Sequence, residues 1–129
     1  IYTISFTGAD NLLLQLGDAG GLESTGYGGT LYGTWDSAGG TVINSAGTSI
    51  MAVAVTSSGR FLTGIMRFRL IEGNTWAMNF EGGLTDGVNF YFARSIGYKA
   101  LSDTLTQISL FPGGGGSYDG GSFRVITRG

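Results

Sequence analysis

The stretch FLTGIMRFRLIEGNTWAMNFE, residues 61–81, decides the fold class. Met66, Phe68 and Leu70 alternate with Arg67 and Arg69. Past Gly73-Asn74, the residues Trp76, Met78 and Phe80 alternate with Thr75, Ala77 and Asn79. A period of two sends successive side chains to opposite faces of a strand. Gly-Asn between two such runs is a two-residue hairpin connection. The pattern predicts paired strands over Phe61–Glu72 and Thr75–Glu81, with Trp76 on the core-facing side.

The same signal recurs on both sides of this hairpin. Upstream, Ile1–Thr7 alternates, Leu12–Leu16 and Ser49–Thr56 are apolar on both parities, and Thr30–Trp35 and Thr41–Asn44 are shorter runs. Downstream lie Val88–Ser95, with Phe90 and Phe92 opposite Tyr91, then Thr104–Phe111 and Ser122–Thr127. Gly17–Gly29, Asp36–Gly40, Ser57–Gly59 and Gly82–Gly87 read as loops or turns, and Gly113–Gly116 as a flexible hairpin loop. No window sustains a helical period of 3.6. About ten short strands at roughly 8–12-residue spacing read as an all-β sandwich or barrel in one domain, 1–129.

Composition removes several functions. The chain has 129 residues, no Cys and no His, so disulfides, thiolate chemistry and the usual general base are absent. A net charge of −2 argues against nucleic acid as a partner, since phosphate binding needs a basic patch. No apolar run reaches the ~18 residues of a transmembrane helix. Only 12% of residues are charged and 42% are hydrophobic. So apolar a chain needs more burial than one domain supplies. Leu12, Leu14, Val53, Val55, Phe90, Tyr91 and Phe92 are therefore candidates for core or for an interface between copies.

The nine carboxylates lie mostly in or beside predicted turns, where they fasten backbone rather than form the opposed pair of a glycosidase. Glu23 stands out among them. The single Lys, Lys99, is the only base available to a nucleophilic serine, and no G-x-S-x-G motif accompanies it. No run of oxygen ligands suits Ca²⁺, and no cofactor or metal site is expected. Arg67 and Arg69, ~6.6 Å apart on one strand face, together with Arg94 and Arg124, read either as a solvated face or as a clamp for a carboxylate between subunits. Tyr27, Tyr32, Trp35 and Tyr118 are candidates for surface recognition by stacking.

Two stretches carry a resemblance. Near the start, Leu13–Gly17 is followed by DAGGLESTGY, residues 18–27. Near the end, Gly97, Lys99, Leu101-Ser102, Thr104–Ile108 and Leu110 precede a glycine-rich turn, then Tyr118-Asp119 and Gly121–Phe123. Asn74-Thr-Trp76 is a weaker match between them. The pattern resembles the C-terminal knob of bacteriophage tail needle and tail fibre proteins, trimeric jelly rolls like those of tumour necrosis factor and C1q. The resemblance implies a fragment of a longer fibrous protein, a homotrimer and a non-enzymatic virion component. It would act outside the cell, at the tail tip, on a glycan or outer-membrane protein of the bacterial surface during attachment, penetration and DNA delivery. A lectin-like receptor-binding module is the alternative, and a polysaccharide depolymerase tip a more distant one.

Overall fold

The computed structural model describes residues 3–6, 10–35, 38–55 and 60–127. They form eleven strands and, among the described residues, no helix. The strands are β1 (Thr3–Phe6), β2 (Asp10–Asp18), β3 (Gly21–Leu22), β4 (Tyr27–Trp35), β5 (Ala38–Gly47), β6 (Ile50–Val55), β7 (Phe61–Glu72), β8 (Thr75–Thr85), β9 (Phe90–Ala100), β10 (Gln107–Pro112) and β11 (Tyr118–Ser122). Seven of them make one antiparallel sheet in the order β11-β1-β7-β8-β9-β4-β5. The other four make a second, in which β2 pairs with β10 on one side and with β6 and β3 on the other. No helix among the described residues is long and apolar enough to cross a membrane.

The core lies between the sheets. Leu12, Leu14 and Leu16 of β2 are fully buried and cluster with Leu31 of β4, Ile50 of β6, Leu62 of β7 and Phe80 of β8. Each buried leucine contributes roughly 2 kcal/mol, so three on one face commit that face of β2 to the core. Leu12 and Leu14 are thus core. The side chains of Val53 and Val55 lie outside the described residues, although their backbones pair with Leu12 and Asp10 of β2. Burial alternates along the whole of β9: Tyr91, Ala93, Ser95, Gly97 and Lys99 point inward, while Phe90, Phe92, Arg94, Ile96 and Tyr98 point outward. Trp76 packs against the core from β8.

Several connections differ from their sequence reading. Gly82–Thr85 continues β8 instead of looping, because Leu84 is fully buried and the Phe90 ring lies over Gly83. A two-residue strand, β3, interrupts the Gly17–Gly29 loop. The strands flanking the glycine run do not form a hairpin: β10 belongs to the four-stranded sheet and β11 to the seven-stranded one. The last strand is Tyr118–Ser122, not Ser122–Thr127. Its pairing with β1 ends at Thr3↔Ser122, and residues 123–127 are exposed and outside any ladder.

The four-stranded sheet has a gap. On one side of β2, pairing with β6 stops at Leu14 and pairing with β3 starts at Gly17. Leu16 faces that gap with both of its backbone groups. Its N–H donates to the Tyr27 hydroxyl at 2.8 Å, and its carbonyl accepts from the Glu23 N–H at 3.0 Å. The same hydroxyl is within hydrogen-bond reach of the carbonyls of Glu23 (2.8 Å) and Leu16 (3.0 Å). Tyr27 is accordingly buried, at 4% exposure, and is a structural tie and not a recognition residue. Burial raises the pKa of its phenol, so it remains a donor. Tyr27→Phe strands a buried N–H and is expected to cost about 2 kcal/mol, measurable by urea denaturation.

Ser95 presents the opposite case. It is almost fully buried in β9, and its hydroxyl has no hydrogen-bond partner among the described residues. Ser95→Ala should therefore raise stability by about 1 kcal/mol. A lower melting temperature for that variant would reveal a partner for the hydroxyl.

Candidate functional site

Asp18, Glu23, Lys99 and Ser102 meet where β2, β3 and β9 end. Lys99 points inward from the last turn of the β9 alternation and is only 4% exposed. Its ammonium group pairs with Glu23 Oε2, donates to the Ala100 carbonyl and lies 5.5 Å from the centre of the Tyr27 ring. The Ser102 N–H donates to Glu23 Oε1 at 2.7 Å. The Ser102 hydroxyl lies 2.6 Å from Asp18 Oδ2 and 2.9 Å from Glu23 Oε1, bridging the two carboxylates. Gln107 Nε2 donates to the Asp18 carbonyl at 2.7 Å, and the Thr106 N–H to Gly17 O at 2.9 Å. Residues about 80 positions apart in sequence are thereby knotted together.

The electrostatics follow from this geometry. The Lys99 hydrogen bond, then the Ser102 amide, bring the Glu23 carboxyl down from its ordinary 4.5 to about 2. The Ser102 hydroxyl and the Gly20 amide hold Asp18 below the usual carboxylate range, partly opposed by the charge of Glu23. A carboxylate so strongly stabilised in its charged form is a poor proton acceptor near neutral pH. Glu23 and Asp18 are both engaged on one serine, not set facing each other across an open cleft. Chemically the cluster is a fastening.

A second fastening closes the other end of the sandwich. Asp10, buried at the start of β2, accepts the N–H groups of Asn11 at 2.7 Å and Gly116 at 3.0 Å, and that of Gly114. Burial opposes the charge on this carboxyl, but the amide donors outweigh it and lower its pKa. The glycine run is therefore a wrapping, not a free hairpin loop. A Cβ at Gly116 would stand 2.7 Å from Asp10 Oδ2, and one at Gly113 2.8 Å from the Leu13 side chain. Asp86 acts similarly within its own loop. Amides of Asn89 and Val88 hold its carboxyl at about 2.

The remaining candidates distribute unevenly. Arg67 and Arg69 on β7, Arg94 on β9 and Tyr32 on β4 share the outer face of the seven-stranded sheet. Tyr32 stands there on a strand, not on a loop. Arg94 sits directly across from Glu81 in the β8–β9 register. Arg124 is exposed beyond β11, away from the other three. Phe90 and Phe92 join the outer face. Tyr91 turns inward, where the Arg60 guanidinium lies 4.3 Å from its ring centre. Tyr118 is part-exposed beside Asp10, and its phenol pKa is raised by burial and by that charge. The Trp35 side chain lies outside the described residues. Sequence reading missed Ile96 and Tyr98 on the outer face. Continuing the period-two alternation past Ser95 would have found both.

No family model matches this chain, and no match was found among curated proteins or solved structures.

The lowered carboxylate pKa values fix the sign of the acid response. A group whose pKa is lower folded than unfolded stabilises the fold above its ordinary pKa, and that contribution is lost as pH falls. For Glu23 the window runs from 4.5 down to about 2. Glu23→Gln, which leaves Lys99 buried without its counter-charge, is expected to cost about 3 kcal/mol at neutral pH. It should also flatten the fall of melting temperature across that window. A slope identical to the unsubstituted chain's would exclude Glu23 as an acid-sensitive tie.

Proposed function

We propose that this chain is a non-enzymatic bacteriophage virion component: the knob at the tip of a tail needle or tail fibre. In this reading it is a jelly roll of the tumour-necrosis-factor type that assembles as a homotrimer. It meets the bacterial surface from outside during attachment, penetration and DNA delivery.

One observation carries the reading. The stretches on which the resemblance rests, residues 13–27 and 97–123, lie far apart in sequence, yet 13–27 and 97–110 form one unit, while Tyr118–Ser122 pairs with β1 in the other sheet. Leu12–Gly17 pairs residue for residue with Gln107–Pro112, and Asp18, Glu23, Lys99 and Ser102 tie the ends of that unit together. A motif made of mutually contacting residues has a physical reason to exist, because no member can change without leaving a buried partner unsatisfied. The non-enzymatic part of the proposal is supported by the carboxylates, since Asp10, Asp18, Glu23 and Asp86 are each occupied in holding a connection. Such a molecule presents a rigid body whose loops are drawn down at both ends, which suits a mechanical tip.

The test is to raise antibodies against this domain and image gold-labelled virions of a phage that encodes it. Label at the distal end of the tail needle or fibre is expected. Chain found only in the infected-cell lysate, absent from purified particles, would sink the reading. Release of reducing ends from host polysaccharide would sink its non-enzymatic part.

A further inference from the structure

We infer that the outer face of the seven-stranded sheet, across β7, β8, β9 and β4, is the surface through which copies of this chain bind one another. The inference rests on the proposed assembling tip and specifies where its subunits touch. Four large apolar side chains on this face are mostly exposed: Phe90 at 70%, Ile96 at 63%, Tyr98 at 57% and Ile65 at 53%. Tyr98, Ile96 and Ile65 stand in successive register rows and Phe90 two rows beyond, with Phe92 in the row between, so they line one face of the sheet. Contiguous apolar surface on this scale is uncommon on a monomer.

The surface has a regular relief. Along β7 stand Ile65, Arg67 and Arg69, and along β9 stand Phe92, Arg94, Ile96 and Tyr98. Between these two ridges, β8 presents Ala77, Asn79 and Gly83 around the single larger Glu81. On the far side of β9, β4 presents Gly28, Thr30 and the larger Tyr32. The two rows of large side chains on β7 and β9 thus stand two strand spacings apart, ~9.6 Å, with a lower strip along Ala77 and Asn79 of β8 between them. The relief is kept low by the glycines. A Cβ at Gly28 would come within 2.7 Å of the Tyr98 ring, and one at Gly83 within 2.3 Å of the Phe90 ring, so both rings lie down over the neighbouring strand. A shallow groove lined by Ile71, Thr75, Ala77, Ile96 and Tyr98 lies toward the β7–β8 turn end of this face.

Chemistry favours a second copy over any other occupant, and the area comes close to what such an interface needs. One ridge is rich in guanidinium groups and the other in aromatic rings, and guanidinium stacks on aromatic faces. The arginine ridge of one subunit therefore matches the aromatic ridge of the next, with Glu81 at hand for the remaining charge. Four strands at ~4.8 Å and eleven residues of β9 at ~3.3 Å cover roughly 700 Å². A stable interface takes about 800 Å² from each partner.

The experiment is sedimentation equilibrium and light scattering on the full 129-residue chain and three variants. The unsubstituted chain is expected at a multiple of 13.4 kDa. Ile96→Asp and, independently, Ile65→Asp should each weaken association at least about 100-fold and run at 13.4 kDa, with unchanged far-ultraviolet circular dichroism. Leu22→Asp, on the exposed side of β3 in the other sheet, should keep the assembled mass. If the unsubstituted chain assembles and both outer-face variants still assemble, the face is wrong and the assembling tip stands. If the unsubstituted chain is itself a monomer, the assembling tip fails and this inference with it.

Discussion

The hydroxyl of Tyr27 closes a hole in the four-stranded sheet, and much of the molecule follows from that single substitution of side chain for backbone. β2 needs partners along its whole length because it runs inside its sheet with Leu12, Leu14 and Leu16 fully buried. β6 and β3 leave it unpaired at Leu16, where an unsatisfied N–H would cost as much as a buried leucine contributes. The phenol resolves this and, in doing so, fixes where β4 begins. β4 then sets the register of β9, since Tyr27 pairs with Lys99 and Leu31 with Ser95. That register, together with the β8–β9 register that sets Lys99 opposite Trp76, delivers Lys99 to Glu23.

Charge is used sparingly and in one manner. Each of the four lowered carboxylates among the described residues draws a connection onto a strand end: Asp10 gathers the glycine run, Asp18 and Glu23 gather residues 99–107, and Asp86 gathers its own turn. Each of these groups works through donors that are already in place once the strands have paired. The ends of the sandwich are thereby stiffened without a disulfide, in a chain that has no cysteine to make one. The arginines stay out of this scheme. Arg67, Arg69 and Arg94 stand on the outer sheet face instead, where they can still find partners.

Much of the sandwich was legible in the sequence because period-two alternation is local. The 61–81 hairpin and the inward turn of Tyr91 between Phe90 and Phe92 needed only neighbouring residues to be read. What was not legible depends on contacts across the chain. Gly82 and Gly83 look like a loop until the Phe80 and Phe90 rings are laid over the strand they belong to. Gly113–Gly116 looks flexible until the Asp10 carboxylate, about a hundred residues away, is placed beneath it. Tyr27 looks like a recognition residue because nothing in its own neighbourhood announces the gap beside Leu16. Glu23 stood out in the sequence, but as a possible chemical group; its partner set gave it a different task.

The pairing of β1 with β11 and of β2 with β10 has a kinetic consequence. Thr3 lies opposite Ser122 and Leu12 opposite Pro112, so the earliest strands of the domain wait for the latest. Neither sheet can be completed while a ribosome still holds residues 107–122. Loop closure over such separations must precede the contacts that reward it, which slows folding. During that wait the three leucines of β2 and the Tyr91 ring of β9, all buried in the folded domain, are uncovered together. Nascent chains held side by side on one polysome would meet through this apolar surface first, so slow closure exposes the domain to encounters between copies before it is folded.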